Sequence, residues 1–174
     1  ADNVARAAKS LIGDVLRRAE CLLGMALLNR GKLQWMKASE AEPAIVDFDR
    51  AAKAFERALS STQGTPTMPP DTSRGSTLES MIRQGAATAY CNLGAAKEAM
   101  EMAVQIGDGK ASLRSSRRGS ARGASGADAG GGRTAAGCYE LALSVDPTCG
   151  DALLGRAWSF YRRHKQREDH GRLG

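Results

Sequence analysis

The stretch CYELALSVDPTCGDALLGRAWSFY, residues 138–161, constrains the fold most, because it holds two helical patterns separated by one proline, Pro147. Ahead of the proline, small and apolar residues recur at the spacing of one helix face, at Ala135, Tyr139, Ala142 and Leu143. A residue that precedes proline avoids the α conformation, so the first helix is expected to end at Asp146.

A second helical pattern begins after the proline. Thr148 is a candidate N-cap, since its hydroxyl can accept a hydrogen bond from a free backbone N–H of the first turn. An apolar stripe follows at helical spacing, at Ala152, Leu153, Ala157 and Phe160. Only a few residues join the two patterns, so we expect the helices to pack as an antiparallel hairpin.

These residues resemble the tetratricopeptide repeat (TPR), a helix-turn-helix unit of about 34 residues. The second helix of that unit, helix B, carries alanine, an aromatic residue, alanine and proline at fixed intervals, matched here by Ala135, Tyr139, Ala142 and Pro147. Helix A of the following unit is matched by Leu153, Ala157 and Phe160, although Arg156 stands where leucine is usual. The resemblance implies a stack of helical hairpins.

Two earlier segments resemble the same unit. Residues 3–31 form a long amphipathic pattern in which Gly31 is the expected stop, and the helix A positions are Leu23, Gly24, Leu27 and Gly31. After an interruption over 32–47, the helix B pattern is carried by Phe48, Ala51, Phe55, Ala58 and Leu59.

The next helix is expected over 78–106, where the helix A positions of a second unit are Ala89, Tyr90, Asn92, Leu93 and Gly94. An alternative treats Gly94 as a turn and 95–106 as a separate helix B. We favour one long helix, because it keeps A and B helices alternating when 135–145 is the partner. A final helix, from Asp151 to about Gln166, is then helix A of a third unit.

The predicted fold is therefore all-α, a TPR-like helical-hairpin solenoid of about two and a half repeats that spans 1–174 as a single domain. Its consecutive buried rungs are expected at Phe55, Leu93, Tyr139 and Phe160.

Two low-complexity segments and a tail interrupt this pattern. Residues 60–77, rich in proline, serine and threonine, are predicted to be a linker. Residues 107–134 form an insertion rich in arginine, glycine and serine without apolar periodicity, and we expect it to be disordered. Residues 167–174 are a basic tail. The net charge of +6 is concentrated in the insertion and at the end of the chain.

Motif content argues against catalysis. No Ser-His-Asp candidate has a supporting structural context, no phosphate-binding loop is present, and the acidic residues fall on outward helix faces, so we predict neither an enzyme nor a cofactor. His164 and His170 have no cysteine or acidic cluster at ligand spacing, which argues against a metal site.

The cysteines and the hydropathy pattern limit the surroundings of the chain. Its four cysteines contain no C-x-x-C pair, and three of them fall within helical patterns, which favours buried thiols and a reducing compartment. No run approaches the roughly 20 apolar residues that a membrane-spanning helix needs.

The resemblance implies a concave groove of helix A side chains, and hence a non-catalytic protein-protein interaction or assembly module that binds another protein, peptide or helix there. Only Asn92 matches the subfamily that clamps chaperone tails, so that ligand is disfavoured. An unpaired final helix would also leave apolar residues uncovered for another protein or a second copy. The predicted partner-binding residues are Arg18, Asn29, Asn92, Leu154, Trp158, Tyr161 and Arg162.

The alternative function is that of a nucleic-acid-associated accessory subunit of a ribonucleoprotein. Flexible arginines bind polyanions through counterion release, and the candidates in the insertion are Arg114, Arg117, Arg118 and Arg122. The insertion has no aromatic residue to stack on RNA bases, and a solvated loop is the competing interpretation.

Overall fold

The computed structural model describes residues 2–37, 41–61, 75–112 and 133–171, which form five helices, with no strand inside those ranges. The helices are α1 (Asp2–Lys37), α2 (Ala41–Ser60), α3 (Gly75–Ser112), α4 (Ala135–Val145) and α5 (Gly150–Gly171). The all-α prediction is confirmed.

Each helix packs mainly against its neighbours in the chain, and smaller contacts join α1 to α3 and α3 to α5. The core lies between α1, α2, α3 and α4, and its largest fully buried side chains are Phe48, Phe55, Ile82, Tyr90, Leu93 and Cys138. Three predicted rungs, Phe55, Leu93 and Tyr139, are buried, whereas Phe160 is 54% exposed. The prediction that Phe160 is a buried rung is therefore wrong.

Gly31 does not end the first helix, which continues to Lys37. The glycine is required instead by a close approach, because a Cβ atom there would lie 2.7 Å from Cε1 of Phe48. Helix α2 begins at Ala41, so most of the predicted interruption over 32–47 is helical. Pro43 is tolerated because it lies in the first turn, where a backbone N–H has no intrahelical partner.

Helix α3 is continuous across Gly94, as the favoured interpretation required. It is longer than expected at both ends, beginning at Gly75 and ending at Ser112. The predicted boundaries of the linker and of the insertion are therefore wrong where they include 75–77 and 107–112. Ser60 also belongs to α2, and Ser61, Arg133 and Thr134 are described but not helical. The remaining parts of these two predictions, 62–74 and 113–132, lie outside the described residues.

The hairpin around Pro147 forms as expected, with Asp146 as the C-cap of α4. Thr148 is not the N-cap of α5, however. Its backbone N–H and its hydroxyl both donate to Oδ1 of Asp146, at 3.0 and 2.7 Å. The first helical hydrogen bond of α5 runs from the N–H of Leu153 to the carbonyl of Cys149, and the helix continues to Gly171, through most of the predicted tail.

Two aromatic rings set the spacing of the helices. The Phe55 ring of α2 lies between Gly24 of α1 and Gly85 of α3, where added Cβ atoms would approach the ring to 2.9 and 2.5 Å. The Tyr139 ring of α4 is held in the same way between Gly94 of α3 and Gly155 of α5. Each ring fills a notch, a space that exists because the two facing glycines have no side chain.

Two bidentate ion pairs fix the register of α1 against α2. Arg30 donates to both carboxylate oxygens of Asp47, at 2.6 and 2.5 Å, and Arg57 donates to both oxygens of Glu20, at 2.9 Å each. Asp47 is only 3% exposed, so the expectation that every acidic residue faces outward is wrong here. The hydrogen bonds from Arg57 hold the pKa of Glu20 below its ordinary value.

Candidate functional site

Helix α5 turns its large apolar residues toward solvent, which is the reverse of an ordinary amphipathic helix. Its inward face is made of small or polar residues, namely Ala152, Gly155, Ser159 and Arg162. Its large apolar residues point outward with exposed fractions of 46% to 72%, and we call this set the α5 apolar face: Leu153, Leu154, Trp158, Phe160 and Tyr161. The prediction that the stripe of Ala152, Leu153, Ala157 and Phe160 faces inward is therefore wrong except at Ala152.

A buried carboxylate explains this orientation. Glu98 of α3 is 8% exposed and pairs with Arg162 at 2.9 Å. It also accepts hydrogen bonds from the hydroxyls of Ser159 and Tyr139, the latter at 3.3 Å. Burial, reinforced by Glu98, raises the pKa of Tyr139. A buried carboxylate must be paired and hydrogen-bonded, so Ser159 and Arg162 turn toward α3 and the large apolar side chains turn away.

The α5 apolar face contains a stacked aromatic pair. The rings of Trp158 and Tyr161 are stacked, with centroids 5.6 Å apart and planes inclined by 26°. Leu154 lies one turn before Trp158. A shallow cavity of about 370 Å³ is lined by these two residues together with Asp151 and Gly155. The three large side chains lie four and three positions apart, so they follow one another along a single helix face.

Basic residues border this face toward the C-terminal end of α5. The guanidinium of Arg163 lies 5.0 Å from the centroid of the Phe160 ring. Exposed positive charge continues along the helix at Lys165 and Arg167. Nδ1 of His164 lies 3.6 Å from Oε1 of Glu168. The surface therefore combines a large apolar area with positive charge.

The other predicted partner-binding residues are placed differently. Arg18 and Asn29 are exposed on α1, whereas Asn92 on α3 is half-buried and its Nδ2 finds no acceptor among the described residues. Arg162 pairs with Glu98 and belongs to the inward face of α5 rather than to the α5 apolar face. The structure brings together Leu154, Trp158 and Tyr161. Arg18 and Asn29 lie on α1, which does not pack against α5 in the described part of the chain.

The first half of α1 carries a second exposed apolar surface. Val4, Leu11 and Val15 were expected on the buried side of an amphipathic helix, but they are 58% to 75% exposed. Ile12 and Leu16 beside them are exposed as well. Burial in α1 begins with Cys21 and continues through Gly24, Leu28 and Gly31, where α2 packs against it.

Arg133 anchors the end of the predicted insertion. Its guanidinium donates to the hydroxyl of Tyr90 at 2.9 Å and to Glu56 at 3.2 Å, and it lies 5.2 Å from the centroid of the Tyr90 ring. The amine of Lys97 donates to its backbone carbonyl. The chain thus returns against α2 and α3, while the predicted polyanion-binding residues, Arg114, Arg117, Arg118 and Arg122, lie outside the described residues.

Sequence reasoning missed Glu98 and Ser159, which decide how α5 is oriented. A signal for Glu98 was present, because it follows Gly94 by one helical turn and therefore shares the face of α3 that approaches Tyr139. No comparable signal marked Ser159.

Across the part of the chain that the structure describes, no group of three or more histidine, cysteine, aspartate or glutamate side chains is arranged to hold a metal ion. None of the described helices has the length and apolar character to cross a membrane. Comparison with protein-family models, with curated proteins and with solved structures found no match.

Proposed function

We propose that this chain is a non-catalytic protein-interaction module, built as a TPR-like stack of helical hairpins, which binds a partner segment on a helix-lined surface that includes the α5 apolar face. The packing order supports the stack, because each helix contacts its neighbours in the chain and smaller contacts join α1, α3 and α5, which we propose as the successive first helices. The same packing arrangement, an aromatic ring between glycines of two other helices, occurs twice along the chain, at Phe55 and at Tyr139.

The exposed α5 apolar face carries the proposal. Five large apolar side chains on one helix, each 46% or more in contact with water, form the kind of patch that folded proteins usually cover with a partner. Tryptophan and tyrosine are also the residues that most often dominate binding energy at protein interfaces. Trp158 and Tyr161 are already stacked, so part of the ordering cost of binding is avoided.

The border of this face indicates the chemistry of the partner. Arg156, Arg163, Lys165 and Arg167 are exposed on α5. A segment with apolar side chains at helical spacing and acidic residues beside them would cover the apolar face and meet this charge.

A display selection with the whole chain as bait tests the proposal. Segments recovered from a peptide library would be synthesised and their dissociation constants measured by calorimetry. Trp158→Ala is expected to weaken binding by about 30-fold or more, the size of an interface hot spot. The matched control is Met36→Ala, which removes a side chain that is 82% exposed on α1 and is expected to leave the dissociation constant unchanged.

Two results would contradict the proposal: peptides that bind the Trp158→Ala variant as tightly as the parent, or a selection that recovers no specific segment. Binding of the same chain to RNA with a steep salt dependence, lost when the four arginines of 114–122 are replaced by glutamine, would favour the nucleic-acid alternative instead.

A further inference from the structure

Two cysteines that are far apart in the sequence meet in the folded chain. The Sγ atoms of Cys91 and Cys149 are 3.5 Å apart, and the residues are separated by 58 positions. Cys91 lies in α3 and is 6% exposed. Cys149 lies in the turn that follows Pro147, immediately before α5, and is partly exposed. All four cysteines of the chain are free thiols in this structure.

The location of the pair favours bond formation. The two sulfur atoms are in contact, and a disulfide of about 2.05 Å requires them to approach by only about 1.5 Å. Cys149 immediately precedes α5, and its carbonyl accepts the first hydrogen bond of that helix. The movement would therefore shift the start of α5 slightly, while α3 stays in place. The other two cysteines, Cys21 in α1 and Cys138 in α4, are buried free thiols.

We propose that Cys91 and Cys149 form a reversible disulfide that joins α3 to the start of α5. The inference does not depend on the proposed function. The reaction uses a small-molecule disulfide, such as oxidised glutathione, as the oxidant.

The order of the steps follows from exposure. The thiolate of Cys149 attacks one sulfur of the oxidant, so a mixed disulfide forms and one glutathione thiolate leaves. The thiolate of Cys91 then attacks Sγ of Cys149 and displaces the second glutathione thiolate. Two protein thiols are oxidised and one glutathione disulfide is reduced to two thiols. Cys91 is the resolving residue because its sulfur is buried, whereas that of Cys149 can be reached by the oxidant. Burial, together with the neighbouring Cys149, raises the pKa of Cys91, which makes this second attack the slower step.

The bond would connect elements that otherwise meet through modest contacts. Helices α3 and α5 share a smaller interface than sequential helices do, and their described polar link is the Glu98 cluster near the middle of α5. A disulfide at Cys149 would fix the other end of α5 and close a loop that contains the whole of α4. Oxidation is therefore expected to stabilise the chain against unfolding.

The test is a redox titration of the whole chain in glutathione buffers, followed by acid quenching, alkylation and mass spectrometry of digested peptides. The expected result is the loss of two alkylated thiols, a cross-linked peptide that contains Cys91 and Cys149, and restoration of four thiols by dithiothreitol. The thermal midpoint of the oxidised chain should rise by roughly 5–15 °C, the range that a disulfide closing a long loop gives in a protein of this size.

Two variants keep the result interpretable. Cys149→Ser changes a partly exposed turn residue and should abolish both the cross-link and the rise in midpoint. The double variant Cys21→Ser and Cys138→Ser should retain both, whatever its basal stability. The proposal is overturned if four thiols remain in oxidised glutathione, if glutathione stays attached to Cys149 without resolution, or if the bond that forms joins other cysteines or two chains.

Discussion

The ring of Phe55 lies so close to Gly85 that a methyl group on Gly85 would come within 2.5 Å of its Cζ atom. Phe55 is fully buried between α1 and α3, so the ring has no free space into which it could move. The spacing of α2 and α3 therefore depends on the absence of a side chain at this position.

Gly85→Ala is expected to lower the free energy of unfolding by about 1–2 kcal/mol, because overpacking outweighs the better helix propensity of alanine. Urea denaturation would measure it. Gly13→Ala is the matched control, since nothing lies within 4 Å of the added methyl group on α1. That change should stabilise by about 0.5–1 kcal/mol. Equal effects at the two glycines would show that the Phe55 notch is not formed.

The sequence predicted that Phe55 and Phe160 would both be buried, but only Phe55 is buried in the structure. Phe55 is fully buried, whereas Phe160 is 54% exposed. Phe55→Ala should cost about 3–5 kcal/mol of unfolding free energy, and Phe160→Ala about 1 kcal/mol or less. Thermal or urea denaturation would compare them. A large loss at Phe160 would mean that α5 is turned the other way.

These two phenylalanines illustrate what the sequence could reveal. The Ala and aromatic pattern of α2 and α4 identified their buried faces correctly, because a helix with one apolar stripe has one way to pack. Helix α5 carries large apolar residues on its outward side and small ones opposite, so periodicity alone could not orient it. The deciding contact joins Ser159 to Glu98, 61 positions away.

Gly31 illustrates a second limit. A glycine after an apolar pattern is a good stop signal, yet the same residue is needed where another ring approaches a helix closely. The choice between these roles depended on where the ring of Phe48 would lie, which follows from tertiary packing.

Removal of the buried carboxylate should destabilise the contact between α3 and α5. Glu98→Ala leaves Arg162 without its ionic partner and leaves the hydroxyls of Ser159 and Tyr139 without an acceptor, so we expect a loss of about 2–4 kcal/mol. Glu101→Ala is the matched control, because Glu101 is exposed one turn away, and its effect should stay within about 0.5 kcal/mol. A double-mutant cycle of Glu98 with Arg162 should give a coupling of about 1–3 kcal/mol; additive effects would argue against the cluster.

Two buried tyrosines should make the chain sensitive to alkali. Burial raises the pKa of Tyr90 and of Tyr139 above the ordinary value of 10.0. Above that pH the unfolded chain loses these protons while the folded chain keeps them, so the free energy of unfolding falls as the pH rises. Well below pH 10.0 both tyrosines are protonated in the folded and the unfolded chain, so neither contributes a pH dependence there.

An alkaline titration of the Tyr161→Phe variant checks this expectation, because the ultraviolet signal of tyrosinate then reports only the two buried residues. Tyrosinate should form together with the loss of helical circular dichroism. Ionisation near pH 10.0 in a chain that remains fully helical would contradict the packing of both rings.

The most direct test of the proposed interaction surface is the accessibility of Trp158, measured by acrylamide quenching of its fluorescence in a Trp35→Phe variant with and without a selected peptide. Trp158 is 52% exposed, so the free chain at low concentration should show efficient quenching, and the bound peptide should shift the emission to shorter wavelength and protect the indole. A Trp158 already protected in the dilute free chain, or equally quenched in the complex, would contradict the proposal that α5 presents its apolar face to a partner.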